Sequence, residues 1–383
     1  MRTRDTRFTG ISRFADPLCL LRSHHHKIHN SIRKTSLWFF VLVTVLLTIG
    51  TEASATKYFI SPTGNDANAG TIGAPFATLN KAWTLVAAGD TVYLRGGTYY
   101  FNSEQLLINK NGTATNLIKV WNYPGENPII KKGTITSWTY YSGILVMGDY
   151  IHVKGLEITG WKQETADHLY YGFMAQNVQN CTFELLNIHH NGFGLCIGDW
   201  STHYSTNVTV LNCDLHHNSD PYTAYGTNTA WGGADGLRVS TVDPNGVFNI
   251  IGTRMWWNSD DGVDLYNNNG FLTFTNCWNW MNGYRPGYTT TDPDLTVAGG
   301  NGIGFKVGPP VNDYSTVTKR VIKNCLATYN RSIGFDQNLG KLKVELYNNT
   351  ACYNARGYGF NYLLELHIPH VRKITFHMEM SIV

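Results

Sequence analysis

From about Asp149 onward a single phrase returns along this 383-residue chain: a short β-branched run, Asn or Gly, five residues, a second Asn, then Gly followed by an apolar residue. The second asparagines are Asn218, Asn258, Asn282, Asn330 and Asn354, each six positions after Asn212, Gly252, Asn276, Asn324 and Asn348. Asn258 to Asn282 and Asn330 to Asn354 are both 24 residues, and the longer gaps of 40 and 48 are accounted for by insertions near 219–233 and 283–301. A period in the twenties, with short strands and no helical hydrophobic pattern, requires units too small to bury their own apolar face, so they must stack. The expected fold is all-β: a right-handed, single-stranded parallel β-helix in which each strand pairs with its equivalent one coil away, at about 4.8 Å. The repeated Asn suits internal turns, where its amide can bond the next coil and tolerate left-handed geometry. Leucine-rich and propeller repeats are excluded by the lack of their signatures.

Composition agrees. Charged residues are 15% of the chain, below the usual quarter, while Gly, Asn, Thr and Tyr abound. Residues 1–55 read as a basic leader and secretory signal. Leu37 to Ile49 is apolar apart from threonine, follows Arg33-Lys34, and precedes a small-residue cleavage site at Ala53-Ser54-Ala55; an uncleaved membrane anchor is the alternative. The whole chain has 30 basic and 27 acidic side chains, and this segment holds 8 and 3 of them. The remainder, 22 against 24, gives no basis for nucleic-acid binding. The expectation is a secreted monomer with no stable membrane association once the signal is removed.

Residues 56–100 are expected to form a strand and helix cap, with Phe76, Leu79, Trp83 and Val86 on one helical face plugging the first coil. The solenoid is expected over 101–361, and 362–383 reads as an atypical, truncated or frame-shifted end. Cys213, Cys277 and Cys325 each follow an Asn at one point of the repeat, which favours stacked buried thiols over disulfides.

Chemistry concentrates in three segments: Gly-Gly-Ala-Asp-Gly with Asp235, Asn-Ser-Asp-Asp-Gly-Val-Asp with Asp260, Asp261 and Asp264, and Gly-Asn-Gly-Ile-Gly-Phe-Lys with Lys306. Aligning Gly236-Leu237-Arg238, Gly262-Val263-Asp264, Gly304-Phe305-Lys306, Gly334-Phe335-Asp336 and Gly359-Phe360-Asn361 puts Arg238, Asp264 and Lys306 in one column. Asp235 and Asp261 fall in the next, with Asp260 one step away. Crowded carboxylates raise one another's pKa unless a hard cation neutralises them; Ca2+ suits an all-oxygen set, whereas Zn2+ lacks His or Cys at ligand spacing. A bound dication and a nearby guanidinium would depress the Lys306 pKa and make it a candidate base. Each Asp-Gly alone would be only a turn former, and a lone lysine only a surface charge.

These segments resemble polysaccharide lyase family nine, the pectate and exopolygalacturonate lyases. The resemblance runs from about Lys57 to Asn361. It implies a parallel β-helix enzyme in which Asp235, Asp260, Asp261 and Asp264 bind calcium and Lys306 is the base for β-elimination on a uronic-acid polymer, pectate or polygalacturonate. Arg238, Arg285, Tyr284 and Lys341 are candidate substrate contacts. Lys319, Arg320, Lys323, Arg331 and Lys343 are expected to add positive charge near the cleft, and Tyr288 and Tyr314 to add sugar platforms. Two other readings remain open: a glycoside hydrolase using two of the aspartates as acid and base, and a non-catalytic, calcium-stapled glycan-binding or adhesin solenoid.

Overall fold

Three short runs of alternating apolar residues in each repeat become three short strands, and each coil contributes one strand to each of three parallel sheets. The computed structural model describes residues 55–135, 140–166, 168–198, 204–222, 230–286, 293–308, 318–360 and 364–366. Among them the first sheet has 11 strands and the second and third have 9 each. One coil is Val208–Leu211, Asp214–His216 and Leu237–Val239; the next is Val247–Ile251, Arg254–Trp256 and Val263–Asp264. Alternation sends Val208, Val210, Leu215, Leu237 and Val239 into the core between the sheets. Burial of each such side chain is worth about 1.5–3 kcal/mol, but only once a neighbouring coil covers it. Phe305 and Phe335 stack in successive coils with ring centroids 4.8 Å apart.

Two columns of left-handed residues make the corners. One is Asn212, Gly252, Asn276, Asn324 and Asn348 (φ 51 to 60°), where the sequence favours such geometry. The other is His190, His217, Trp257, Met281, Tyr329 and Tyr353 (φ 54 to 55°), where apart from the two histidines the residue types have no such preference. The asparagine after each of these is not left-handed, and all but the last, the half-buried Asn354, are buried. It reaches along the axis instead: Asn218 Nδ2 donates to Asn258 Oδ1 (2.9 Å), Asn258 to Asn282 (3.0 Å), Asn282 to Asn330 (2.9 Å) and Asn330 to Asn354 (3.0 Å). Asn191 heads the ladder, donating to Asn218 Oδ1 at 3.3 Å. Each Oδ1 also accepts the backbone N–H of the preceding rung, as Asn282 does from Asn258 at 3.1 Å.

The cysteines behave as stacked apolar residues: Cys181, Cys213, Cys277 and Cys325 are buried free thiols, and the Cys277 N–H donates to Cys325 Sγ at 3.4 Å. Near the start, helix α1 (Leu79–Leu85) is shorter than the apolar face from Phe76 to Val86 because Thr78 caps it, accepting from the Lys81 N–H at 3.0 Å. Leu79, Ala82 and Trp83 of α1 enter the main core, as do the flanking Phe76 and Val86.

The solenoid runs past the expected limit of 361. Strand Leu364–Leu366 adds to the first sheet, with Val344 opposite Leu364. The expected leader and signal up to residue 54, Tyr288, Tyr314, Asn361 and residues 367–383 lie outside the described residues. Among the described residues no helix is long and apolar enough to cross a membrane.

The ladder yields a stability prediction. Asn282→Ala strands the buried amide groups of Asn258 and Asn330, so it should cost roughly 2–4 kcal/mol in urea unfolding. An equally stable variant would show that the ladder contributes nothing.

Candidate active site

The second sheet carries the chemistry. Its register pairs Arg238 with Asp264, Asp264 with Lys306 and Lys306 with Asp336, one residue per coil. Val263 and Phe305, one step earlier, point into the core, so the charged column faces outward. Before each apolar residue stands a glycine whose space is taken by the neighbouring coil. A Cβ on Gly262 would lie 1.7 Å from Asn279 Oδ1 and 2.7 Å from the Gly304 carbonyl. The last expected triplet is displaced: Asp336 pairs with Gly359, so Gly357-Tyr358-Gly359 is the aligned segment. The turn after Asn354 is one residue shorter than that after Asn330.

Asp235, Asp261 and Asp264 each place a carboxylate oxygen within 4.8 Å of the others. In each, one oxygen is held by backbone: Asp235 Oδ1 accepts from the Asp261 N–H (3.1 Å), Asp261 Oδ1 from Ile303 (2.7 Å) and Asp264 Oδ1 from Tyr266 (2.8 Å). The other oxygen faces a cation. Asp235 Oδ2 accepts from Arg238 Nη2 at 2.9 Å, and Lys306 Nζ donates to Asp261 Oδ2 (3.0 Å) and Asp264 Oδ2 (3.1 Å). Asp260 is buried beside them, with its Oδ1 turned to the Asn301 N–H.

Every one of these side chains is nearly sealed from solvent. Burial, reinforced by the neighbouring carboxylates and opposed by Arg238 and Lys306, pushes the carboxyls of Asp235, Asp260 and Asp261 above their ordinary range. Burial alone would strip the proton from Lys306, but Asp261, Asp264, Asp260 and Asp235 outweigh it and raise its pKa. Without an ion the ammonium itself is the counter-ion of the pocket; the depressed value expected from sequence is that of the ion-bound pocket. With all four carboxyls ionised, Lys306 and Arg238 would leave two negative charges uncompensated, which is why the carboxyls are pushed toward their neutral forms when no cation is added. An all-oxygen set short of two positive charges fits a hard divalent ion such as calcium.

The other expected contacts divide. Arg285 and Tyr284 lie on the antiparallel hairpin Tyr284–Pro286 with Pro293–Ala298; Arg285 donates to the Ala298 carbonyl (2.8 Å) and stands over the Trp231 ring (5.3 Å). Arg331 buttresses the same insertion, bonding the Gly300 and Asn301 carbonyls. Lys341 follows the second-sheet strand Ile333–Asp336 on its outgoing turn. Arg320 adds no charge to a cleft, contrary to expectation: it is fully buried and donates to the carbonyls of Val307 (2.9 Å), Gly270 (2.6 Å) and Asn268 (2.9 Å). Lys319, Lys323 and Lys343 belong to the first sheet, not the second.

Asp220 was not among the sequence candidates. It is buried, and its Oδ1 accepts from the Ala234 N–H and Ser259 Oγ, both 3.2 Å away, so it ties together the two segments that carry Asp235 and Asp260. Its position two residues after the ladder residue Asn218, inside an insertion, left no repeat signal to find it by.

The fold has known counterparts. The chain is 30% identical over 364 residues to pectate lyase L of Paenibacillus polymyxa (strain SC2), covering 91% of this chain and 74% of that protein. It is 31% identical over 352 residues to pectate lyase L of Dickeya dadantii (strain 3937), covering 87% and 76%. Among solved structures it is similar to the crystal structure of pectate lyase Pel9A, with TM-score 0.63 and 28% identity over 82% of this chain and 73% of that one. It is also similar to a rhamnogalacturonan lyase, with TM-score 0.64 and 27% identity over 76% and 73%. The protein is a polysaccharide lyase. Residues 58–370 match the model of the Pel9A-like right-handed β-helix region, and the chain belongs to that family, polysaccharide lyase family nine.

Asp220 supplies a pH test. Burial raises its carboxyl from an ordinary 3.8 to about 7. An ionised Asp220 therefore costs stability in full above pH 7, and the cost fades as pH falls through 7 toward the unfolded value. In calcium-free buffer Asp220→Asn should be more stable than the parent by roughly 1–3 kcal/mol at pH 8, and the gap should shrink below pH 7 and close only near pH 4. A gap independent of pH would contradict the assignment.

Proposed function

We propose that this lyase cleaves a pectate-type polyuronate by calcium-dependent β-elimination outside the cell, with Lys306 as the base. The observation that carries this reading is the convergence of Asp235, Asp261 and Asp264 on Lys306 in one sealed pocket. Asp235, Asp261 and Asp264 would hold the ion, with Asp260 completing the set. Calcium there would pair with a substrate carboxylate and stabilise negative charge that develops beside it.

Lys306 holds its proton while Asp261 and Asp264 are its partners. Once those oxygens are engaged elsewhere, burial and the neighbouring Arg238 charge both favour the neutral amine. That amine takes the proton from the sugar carbon bearing the carboxylate. The electron pair forms a carbon–carbon double bond, and the glycosidic oxygen on the next carbon leaves, receiving a proton from water. Arg238, fixed by Asp235, offers a planar guanidinium to the sugar carboxylate. Tyr284 and Arg285 on the hairpin, and Lys341 on the turn beyond, extend the contact surface along the polymer. The leader reading of residues 1–55 agrees with an extracellular substrate.

The ultraviolet absorbance of the unsaturated uronate, measured on polygalacturonate, esterified pectin and alginate, tests the reaction class. Growth of that absorbance with polygalacturonate, abolished by a chelator and restored by calcium, is expected; reducing ends without it would indicate hydrolysis. Lys306→Ala in calcium should lower kcat by roughly 10²–10⁴-fold or more. Because the amine must be neutral, kcat/KM should rise toward alkaline pH, and an acidic optimum would remove Lys306 as base.

A further inference from the structure

A second set of ligating side chains stands where the third sheet turns toward the second. His189 and His216 end the strands Asn187–His189 and Asp214–His216 in register, and each is followed by a left-handed histidine, His190 and His217. Ile188 and Leu215 fill the core, so the imidazoles fall on the outside, half-buried. The rings repeat from coil to coil: His189 and His216 lie 4.8 Å apart at 9°, and His190 and His217 lie 4.8 Å apart at 11°. Within each coil the two rings meet edgewise with Nδ1 facing Nδ1, at 2.6 Å in His189/His190 and 2.5 Å in His216/His217.

The outer edges fix where the protons sit. His189 Nε2 is 3.3 Å from Glu157 Oε1, and His216 Nε2 is 3.0 Å from Asn187 Oδ1. Both partners are acceptors, so Nε2 carries the proton and Nδ1 presents a lone pair. Carboxylate behind imidazole is also the arrangement that orients ligating histidines. His190 Nε2 is buried without a hydrogen-bond partner, so in the metal-free chain the proton of that ring sits on Nδ1 and donates to His189 Nδ1, and an ion bound between the two would displace it to Nε2. Burial, with the neighbouring imidazoles, holds His190 down at about 4 and His216 at about 2, and burial lowers His189 despite Glu157. At neutral pH these rings are therefore in the uncharged form that binds metals.

We propose that the paired Nδ1 atoms of His189/His190 and His216/His217 bind one nitrogen-preferring transition-metal ion, of the Zn(II), Ni(II) and Cu(II) class, at a site separate from the acidic pocket. A tetrahedral ion with nitrogens at about 2.0 Å sets neighbouring donors about 3.3 Å apart, so a pair must open by only roughly 0.7 Å. The two pairs are one coil apart, and a dication on one repels a second on the other, which gives one ion per chain. The ring nitrogens suit such ions and disfavour calcium, while the carboxylate pocket has the opposite preference.

The test uses the full chain with His24→Gln, His25→Gln and His26→Gln, which removes the histidine run of the leader, in excess calcium to fill the acidic pocket. Nickel calorimetry should give one ion per chain, and the copper-loaded protein should show nitrogen hyperfine structure in its electron paramagnetic resonance spectrum. Glu157→Gln should weaken nickel binding about ten-fold, and His190→Gln/His217→Gln by more. Undiminished nickel binding in a folded double variant would overturn the proposal. If that variant fails to fold, the copper spectrum of the parent decides, because a signal from oxygen ligands alone rules the site out.

Discussion

Coil-to-coil register is the constraint on which the whole molecule rests. No coil can bury its own apolar residues, so each is stable only against a neighbour held at the right offset, and a slip of one residue would turn every core side chain outward. Backbone pairing alone is permissive about offset. The buried asparagine ladder is not, because each amide must find the next rung or remain unsatisfied in a dry interior. The ladder runs immediately before the acidic segments: Asn258 is two residues from Asp260 and Asn282 opens the insertion that returns at Lys306. The interaction that fixes the register therefore also aims the carboxylates.

That precision is used to assemble something folding would otherwise avoid. Three carboxylates converge beside a fourth, all sealed from water, with one ammonium and one guanidinium among them. Backbone N–H groups from three different segments hold one oxygen of Asp235, Asp261 and Asp264, leaving the other fixed for use. Such a pocket is costly when its charges are unbalanced, and a divalent ion is the partner that would balance it. The raised pKa of Lys306 has the same origin: its ammonium is the counter-ion of Asp261 and Asp264.

Much of this was legible in the sequence because stacking turns distance along the chain into adjacency in space. The Gly-apolar-charged triplets at 236, 262, 304 and 334 gave the column Arg238, Asp264, Lys306, Asp336 correctly. The triplet at 359 misled because one corner is a residue shorter, and counting cannot see a corner. Lys319, Lys323 and Lys343 were misplaced for a related reason: the repeat shows that a residue is on a strand, but their strands belong to the first sheet. Arg320 looked like surface charge, yet it is fully buried and four carbonyls receive it. The left-handed corner at His190, His217 and Trp257 had little composition signal, since the backbone there is dictated by the ladder asparagine that follows.

The central claim is that register gathers these distant side chains around one ion and its sugar acid. A crystal structure of an inactive Lys306→Ala chain soaked with calcium and a polygalacturonate oligomer tests it most directly. The account predicts an ion ligated by Asp235, Asp261 and Asp264, with Asp260 alongside and a sugar carboxylate against it on the outer face of the second sheet. An ion or sugar bound on another face, with those carboxylates left untouched, would contradict it.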